Sequence, residues 1–413
     1  MQSTSMASAL RARIGLHPTV LVLASVHFVV DAYGNVLPPL LPLLIPKLHL
    51  SLAAAGTLQM CFQLANSVSQ LGFGHLADRW RPRLLLLCGP LVAVGVLPLV
   101  GLAPNFAILA TVLIVGGLGG AAFHPPAAAI VHRSGGTRPG FSMSFHITSG
   151  TLGQALAPLV FAPFAESAGL PRLPLLIIPP LLVLLVLLRR IPPVERLHAT
   201  GETGGLRALQ PYAKPLTLLY LIVVLRTLTA MSFATFVPVL LTRRGLSVSQ
   251  AGSVAAIYLT AVGLGGFLGG PLADRFGPRR IIMLSLVAAV PFLAITPAFS
   301  GAAFVAVLAL GGFLLQSTLP VNVTFGQSIA PISAATVSSL MMGVAWGTAG
   351  ISVPFVGMLA DRVGIDRTLV VMSLLPLLAA ALAIPLPAEK QVHSLMRASE
   401  SSTPETTGTD VAT

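Results

Sequence analysis

Apolar runs recur along the chain between short polar turns, and each is long enough, at about 20 residues, to cross roughly 30 Å of hydrocarbon as a helix. They fall at 17–42, 52–76, 84–103, 105–132, 140–165, 171–189, 213–242, 250–273, 280–299, 302–328, 333–360 and 367–387. This pattern predicts an all-α integral membrane protein with about twelve transmembrane helices. Three polar segments frame the runs. Residues 1–16 form a short basic N-terminal segment, 190–212 a linker with Gly201, Gly204, Gly205 and scattered charges, and 388–413 a tail rich in Ser, Thr and Glu that reads as disordered. The linker divides the runs into two six-helix bundles, 17–189 and 213–387.

The bundles are copies of one unit. Gly74–Arg83, reading GHLADRWRPR, returns as Gly270–Arg279, reading GPLADRFGPR, 196 positions later, and Pro158 and Pro354 keep the same offset. Parallel halves in so apolar a chain mark a secondary transporter with its pathway between the halves. A weaker echo, Gly357-Met-Leu-Ala-Asp361-Arg362, comes after the eleventh run on the opposite face. Inverted three-helix repeats within each half produce that placement.

Composition agrees: 9% of residues are charged, 55% are hydrophobic, and the mean hydropathy is +0.89, beyond what a water-soluble surface carries. The net charge of +12 suggests nucleic acid until its distribution is read. With the N-terminus inside, the inner segments hold 17 Lys and Arg and the outer segments 6, Arg226 lying inside a helix. That asymmetry obeys the positive-inside rule, places both termini in the cytoplasm and removes the case for nucleic acid. No cleavage site comes after the first apolar run, which carries Asp31 and several prolines, so it reads as a retained helix. Cys61 and Cys88 lack Cys-x-x-Cys spacing and read as small apolar fillers. There is no Gly-Lys dipeptide for a phosphate loop and no hydrolase motif. The chain is therefore not expected to be an enzyme. No cofactor or metal is expected, and transport must draw on an ion gradient or on the substrate's own gradient.

The Gly-x-Leu-Ala-Asp-Arg-x-x-Pro-Arg loop between runs two and three and again between eight and nine resembles the signature of the major facilitator superfamily. His27-Phe-Val-Val-Asp31-Ala-Tyr33-Gly34, Phe123-His124-Pro125, Gly140-Phe-Ser-Met-Ser144 and Arg226 are similar to the fosmidomycin-resistance-like group of drug efflux transporters. Gly150-Thr-Leu-Gly153-Gln-Ala-Leu-Ala157-Pro158 resembles the helix-five antiporter pattern, with Ala157 in place of its usual glycine before Pro158. The resemblance implies that helices 1, 4, 7 and 10 line a central cavity.

Intramembrane ionisable residues cost about 2.5 to 3.5 kcal/mol and face a bundle interior or a water-filled path. Asp31, with His27 one turn earlier on the same face, and Arg226 are therefore expected in the pathway, either as coupling and anion-binding groups or as a permanent ion pair. Arg226 offers a planar fork that matches a carboxylate, phosphate or phosphonate, or it is satisfied by carbonyls of the Pro238-distorted helix 7. His27, His124 and His146 are proton-relay candidates. His124 alternatively caps the break at Pro125-Pro126, and His146 is alternatively interfacial. Tyr33, Gln316 and Asn322 complete the candidate substrate site, Gln316 and Asn322 alternatively bonding between helices. Gln59, Gln63, Asn66 and Gln154 are expected to bond between helices, and Gly116–Gly120 to pack closely. Gly74, Asp78, Arg79, Arg83, Gly270, Asp274, Arg275 and Arg279 form the candidate gating loops. Gly74 and Gly270 should permit close helix approach, and the charges should form a network across helix ends.

These features describe a proton-coupled efflux transporter of the inner membrane for small amphiphilic or anionic compounds, working by alternating access with one subunit sufficing. Symport of an organic anion or sugar uses the same residues, and a transport-inactive receptor is the alternative outside this class. Reporter fusions at the two termini should both report a cytoplasmic location. An external C-terminus would make the helix number odd and overturn every loop assignment.

Overall fold

A computed structural model describes residues 16–79, 82–135, 139–191 and 209–387. Most of the expected linker, the N-terminal segment, the tail and the side chains of Asp78 and Arg79 lie outside the described residues.

The described residues make twelve long helical passes. They are α1 (Pro18–Leu48), α2 (52–79), α3 (Pro82–Leu102), α4 (Phe106–Ser134), α5 (Pro139–Ala168), α6 (Leu170–Leu188), α7 (Ala213–Arg243), α8 (Val248–Phe276), α9 (Pro278–Ala298), α10 (Gly301–Ile329), α11 (Thr336–Val363) and α12 (Ile365–Ala383). By length and apolar composition ten of them can cross a membrane, α2 and α5 being the two that fall short. Their deficit has a local cause: α2 carries Gln59, Gln63, Asn66, Ser67 and Gln70, and α5 carries Ser142, His146, Ser149 and Gln154, polar residues turned towards the protein interior. Apolar side chains such as Leu182, Leu284 and Phe355 stand exposed on the outside of the bundles, where lipid is their solvent.

Starts are specified locally. Pro18, Pro82 and Pro278 open α1, α3 and α9, where a missing N–H costs nothing. Ser51 accepts from the Ala54 N–H at 3.0 Å to cap α2. Ser247, 196 positions later, caps α8 in a reciprocal box with Gln250. One boundary differs from the sequence expectation: α1 runs to Leu48 rather than 42 and is interrupted at Asn35 and Val36. Pro38 and Pro39 come next, and their absent N–H groups leave the preceding turn without its usual helical bonds.

The halves meet where backbones touch. A methyl group at Gly56 of α2 would lie 2.6 Å from the Val353 carbonyl oxygen and 2.9 Å from Pro354 Cα of α11; at Gly252 of α8 it would lie 2.7 Å from the Pro158 carbonyl of α5. Gly56 and Gly252 are equivalent positions of the repeat, as are Pro158 and Pro354. The contact is thus made twice, crosswise. Gly357 adds a third approach, its methyl position 2.2 Å from the Leu52 carbonyl. Each of the two helix pairs, α2 with α11 and α8 with α5, is capped by an acid. Asp361, at the end of α11, accepts from the Leu52 and Ala53 N–H groups at 2.9 Å each. Glu166, at the end of α5, accepts from Val248 N–H at 2.9 Å and Ser249 N–H at 3.0 Å, and from the Ser249 hydroxyl. Both carboxylates lie at the positive end of a helix of the other half.

The opposite face, which carries the repeated loops, is arranged differently. Gly74 would meet only Pro125 Cβ at 3.7 Å and Gly270 has open space, so the expected close approach at these glycines does not occur. Asp274 and Arg275 are exposed and, among the described residues, make no ion pair. Arg279 donates to the Ile384 carbonyl instead. The expected charge network is absent from these groups because the halves touch at the other face.

Glu166→Gln together with Asp361→Asn should loosen the closed face. At about 1 kcal/mol for the two charges, the open population should rise about fivefold. Spin labels at positions 50 and 363, in a chain with Cys61 and Cys88 replaced, would report it as a larger long-distance fraction. An unchanged distance distribution would show that the caps do not hold this face.

Candidate functional site

Between the halves lies a cavity of about 820 Å³, reaching from Asn35 and Pro38 to Gly74 and His75 at the loop face. Residues of α1, α2, α3, α4, α5, α7, α8, α10 and α11 line it, so the expected four helices are present with five more. The π-helical turns Leu64–Val68 of α2 and Ser339–Val344 of α11 both contribute to its wall. An extra residue in a turn rotates the rest of the helix about its axis, and here it brings Asn66, Ser67, Met342 and Gly343 to the cavity.

The N-terminal half supplies an acid and histidine cluster. His27 Nε2 lies 3.5 Å from Asp31 Oδ2, as the i,i+4 spacing predicts, and His124 Nε2 lies 3.5 Å from Asp31 Oδ1. Gln154 of α5 donates to Asp31 Oδ2 at 2.9 Å. His27 Nδ1 donates to the His146 carbonyl at 2.8 Å, and the two rings pack with centroids 4.2 Å apart, tilted by 32°. His146 is buried in this cluster rather than interfacial. His124 directs Nε2 at Asp31 rather than at the carbonyls before Pro125-Pro126. Glycine makes the cluster possible: a methyl group at Gly150 would lie 2.6 Å from His27 Nε2 and 2.8 Å from Asp31 Oδ2, and at Gly153 it would lie 2.1 Å from the Phe28 carbonyl.

The C-terminal half supplies the cation. Arg226 of α7 is fully buried; its terminal nitrogens donate to Gln316 Oε1 of α10 and, at 3.1 Å, to Thr227 Oγ1. A side-chain amide and a hydroxyl hold it, not carbonyls of a distorted helix. Its Nε has no partner among the described residues. Asp31 and Arg226 are not in ion-pair contact, since Asp31 is partnered by His27, His124 and Gln154.

Other candidates are placed apart. Tyr33 donates to the Leu176 carbonyl of α6 and packs edge-on against Phe161 at 5.2 Å, so it holds α1 to its own bundle. Asn322 is fully buried, with neither polar atom bonded, and does not line the cavity. Gln59, Gln63 and Asn66 do line it, whereas they were expected to bond between helices. Two further groups were not singled out from sequence: Thr235 Oγ1 and Trp346 Nε1 are buried cavity-lining atoms without protein partners. Trp346 had one available signal, being one of two tryptophans in the chain.

Two helical bundles around one cavity, with polar groups on opposed walls, define a membrane transporter rather than an enzyme. The sequence profile of the Major Facilitator Superfamily matches residues 23–242 and 219–325, and the chain belongs to that family. It is similar to an uncharacterized MFS-type transporter, YfnC, of Bacillus subtilis (strain 168), with 28% identity covering 92% of this chain and 95% of that one. It is also similar to the fosmidomycin resistance protein of Escherichia coli (strain K12), with 26% identity covering 85% of this chain and 88% of that one. Among solved structures, a bacterial homolog of the human lysosomal transporter Spinster, inward-facing and unoccupied, superposes with a TM-score of 0.73 at 19% identity, covering 88% of this chain and 95% of that one. The nucleoside transporter NupG superposes with a TM-score of 0.68 at 14% identity, covering 90% and 99%. These structures share the fold.

The glycine geometry separates two substitutions. Gly153→Ala forces a methyl onto a backbone oxygen and should destabilise the fold by about 1 to 3 kcal/mol or more, lowering the thermal midpoint in detergent. Gly270→Ala enters open space inside a helix and, alanine being the better helix former, should not lower it. Equal midpoints would overturn the α1–α5 contact as the support of the cluster.

Proposed function

We propose that this transporter exports small anionic or amphiphilic compounds across the inner membrane in exchange for protons, with both termini cytoplasmic and the described conformation open to the cytoplasm. The observation that carries the reading is the polarised cavity: a carboxylate with three polar partners on one half faces a space shared with a buried guanidinium on the other. Arg226 holds the anionic group of the substrate, its unpartnered Nε adding a donor to a fork that suits phosphonate or carboxylate. Asp31 carries the proton, assisted by His27, His124 and His146. The names of two relatives, a fosmidomycin resistance protein and the multidrug resistance protein MdtG of Enterobacter lignolyticus (strain SCF1), support efflux of such compounds.

The arrangement of charges favours exchange. Were Asp31 paired with Arg226, an anion at Arg226 would strip Asp31 of its cation and favour proton binding, which is the logic of co-transport. Asp31 instead keeps its partners within its own half, so anion binding does not remove them. A substrate spanning the cavity competes with the proton at the carboxylate wall.

The repeated loops act as the second gate. Gly357-Met-Leu-Ala-Asp361, which resembles Gly74-His-Leu-Ala-Asp78, caps the start of α2 through Asp361 at the closed face. By the same geometry Asp78 would cap the start of α11, and Asp274 the start of α5, when the loop face closes.

Fosmidomycin added to the purified protein in weakly buffered detergent should release protons, and Asp31→Asn should abolish the release. Arg226→Gln should weaken binding at least about tenfold, since a hydrogen bond to a charged group contributes about 1.5 to 3 kcal/mol. Proton uptake would assign symport instead. Undiminished release in Asp31→Asn, or unchanged affinity in Arg226→Gln, would remove the role given to that residue.

A further inference from the structure

We infer that His27, Asp31 and His124 form a binding site for a divalent transition-metal ion of the zinc class on the cavity wall. No spacing in the sequence announces it, because the ligands come from α1 and α4 and meet only in the fold. Their ligand atoms, two imidazole nitrogens and a carboxylate oxygen, all lie within 4.8 Å of one another. Both His–Asp edges measure 3.5 Å. The two edges run to different carboxylate oxygens, Oδ2 for His27 and Oδ1 for His124; ligands held about 2.1 Å from a tetrahedral ion stand about 3.4 Å apart, so a small closing movement of the three groups brings them to the spacing of a site. Neither edge is a hydrogen bond: the only hydrogen bond to the Asp31 carboxylate among the described residues comes from Gln154. The three groups stand together without hydrogen-bonding one another.

The surrounding shell favours a metal over a packed histidine pair. A metal-bound imidazole commonly donates its other nitrogen to a carbonyl, which fixes the tautomer and presents the ligating lone pair. His27 does this, Nδ1 donating to the His146 carbonyl at 2.8 Å and leaving Nε2 towards Asp31. Gln154 orients the carboxylate in the same manner. Gly150 keeps the ligand atoms clear, since any β-carbon there would stand 2.6 Å from His27 Nε2. Two imidazoles and one carboxylate, with the remaining position open to the cavity, suit Zn²⁺, Co²⁺ or Fe²⁺ rather than Ca²⁺ or Mg²⁺, which prefer oxygen ligands. With the ion in place, one wall offers an open coordination position and the other the Arg226 guanidinium, the two groups a chelating anion would engage together.

The site shares Asp31 with the proposed proton exchange but does not depend on it, and its test uses neither substrate nor pH gradient. The full chain, without a polyhistidine tag, is stripped of metal, desalted and titrated with Co²⁺ in detergent. Visible d–d bands of low-coordinate Co²⁺ should develop to one ion per chain and be displaced by Zn²⁺. His124→Ala and Gly150→Ala should each weaken Co²⁺ binding by at least about tenfold, a loss that even outer-shell changes at metal sites produce. His132→Ala, outside the cluster, should leave it unchanged. Circular dichroism and the thermal midpoint check that each variant is folded. Should Gly150→Ala fail that check, His27→Gln takes its place. The absence of a one-to-one Co²⁺ spectrum in the wild-type chain overturns the proposal, as does full-strength binding in folded His124→Ala and His27→Gln. Proton release on substrate addition, measured separately, can survive either outcome.

Discussion

The architecture depends on backbone touching backbone between the two halves. In a bilayer, lipid tails are as apolar as leucine, so helices gain little by hiding apolar side chains from one another, and close packing must hold them. Gly56 against Pro354 and Gly252 against Pro158 provide that packing twice over. A proline on one side and a glycine on the other bring the helices together at a point where any side chain at the glycine would clash. The acids that cap α2 and α8 then satisfy N–H groups that a helix start leaves without intrahelical partners. Closure at one face and the cavity at the other are two consequences of the same pivot.

Neither half relies on the other for the hydrogen-bond and ion-pair partners of its buried charge. Every polar partner of Asp31 comes from α1, α4 or α5, and both hydrogen-bond partners of Arg226 come from α7 and α10. An ion pair across the cavity would have to be broken each time the halves rocked apart, at the cost of an uncompensated buried charge, commonly about 3 to 5 kcal/mol. No such pair is present between these residues. The polar cost of the pathway is met within the bundles, leaving the interface between them to glycine–proline contacts, apolar packing such as Leu37–Leu48 against α7, and two peripheral acids.

Much of this architecture was legible in the chain itself. Helix number and the duplication can be read from apolar run length and from Asp78 recurring as Asp274, because a bilayer dictates span length whatever the tertiary contacts. The i,i+4 placement of His27 and Asp31 also held, being a property of one helix. The extension of α1 through Pro38, Pro39, Pro42 and Pro46 to Leu48 was not legible. Proline deletes local hydrogen bonds, yet packing of this segment against α7 sustains the helix regardless.

The unread part of the site has one physical cause. Spacing along a helix gives which residues share a face, but not the direction in which that face points. The direction is set by contacts with other helices. Tyr33 lies two residues beyond Asp31 and therefore on another side of α1, and its hydroxyl is taken by Leu176 of α6. Asn322 lies after Gln316 in α10, beyond the irregular step at Ser317, and it no longer faces the cavity. Conversely, Gln63 and Asn66 reach the cavity with a π turn at Leu64–Val68 in their helix, an irregularity no periodicity argument anticipates. Gly150 shows the same principle from the other side. As one glycine in a patterned stretch it reads as a packing residue, and only the meeting of α1, α4 and α5 reveals that the space it leaves is occupied by a carboxylate and an imidazole.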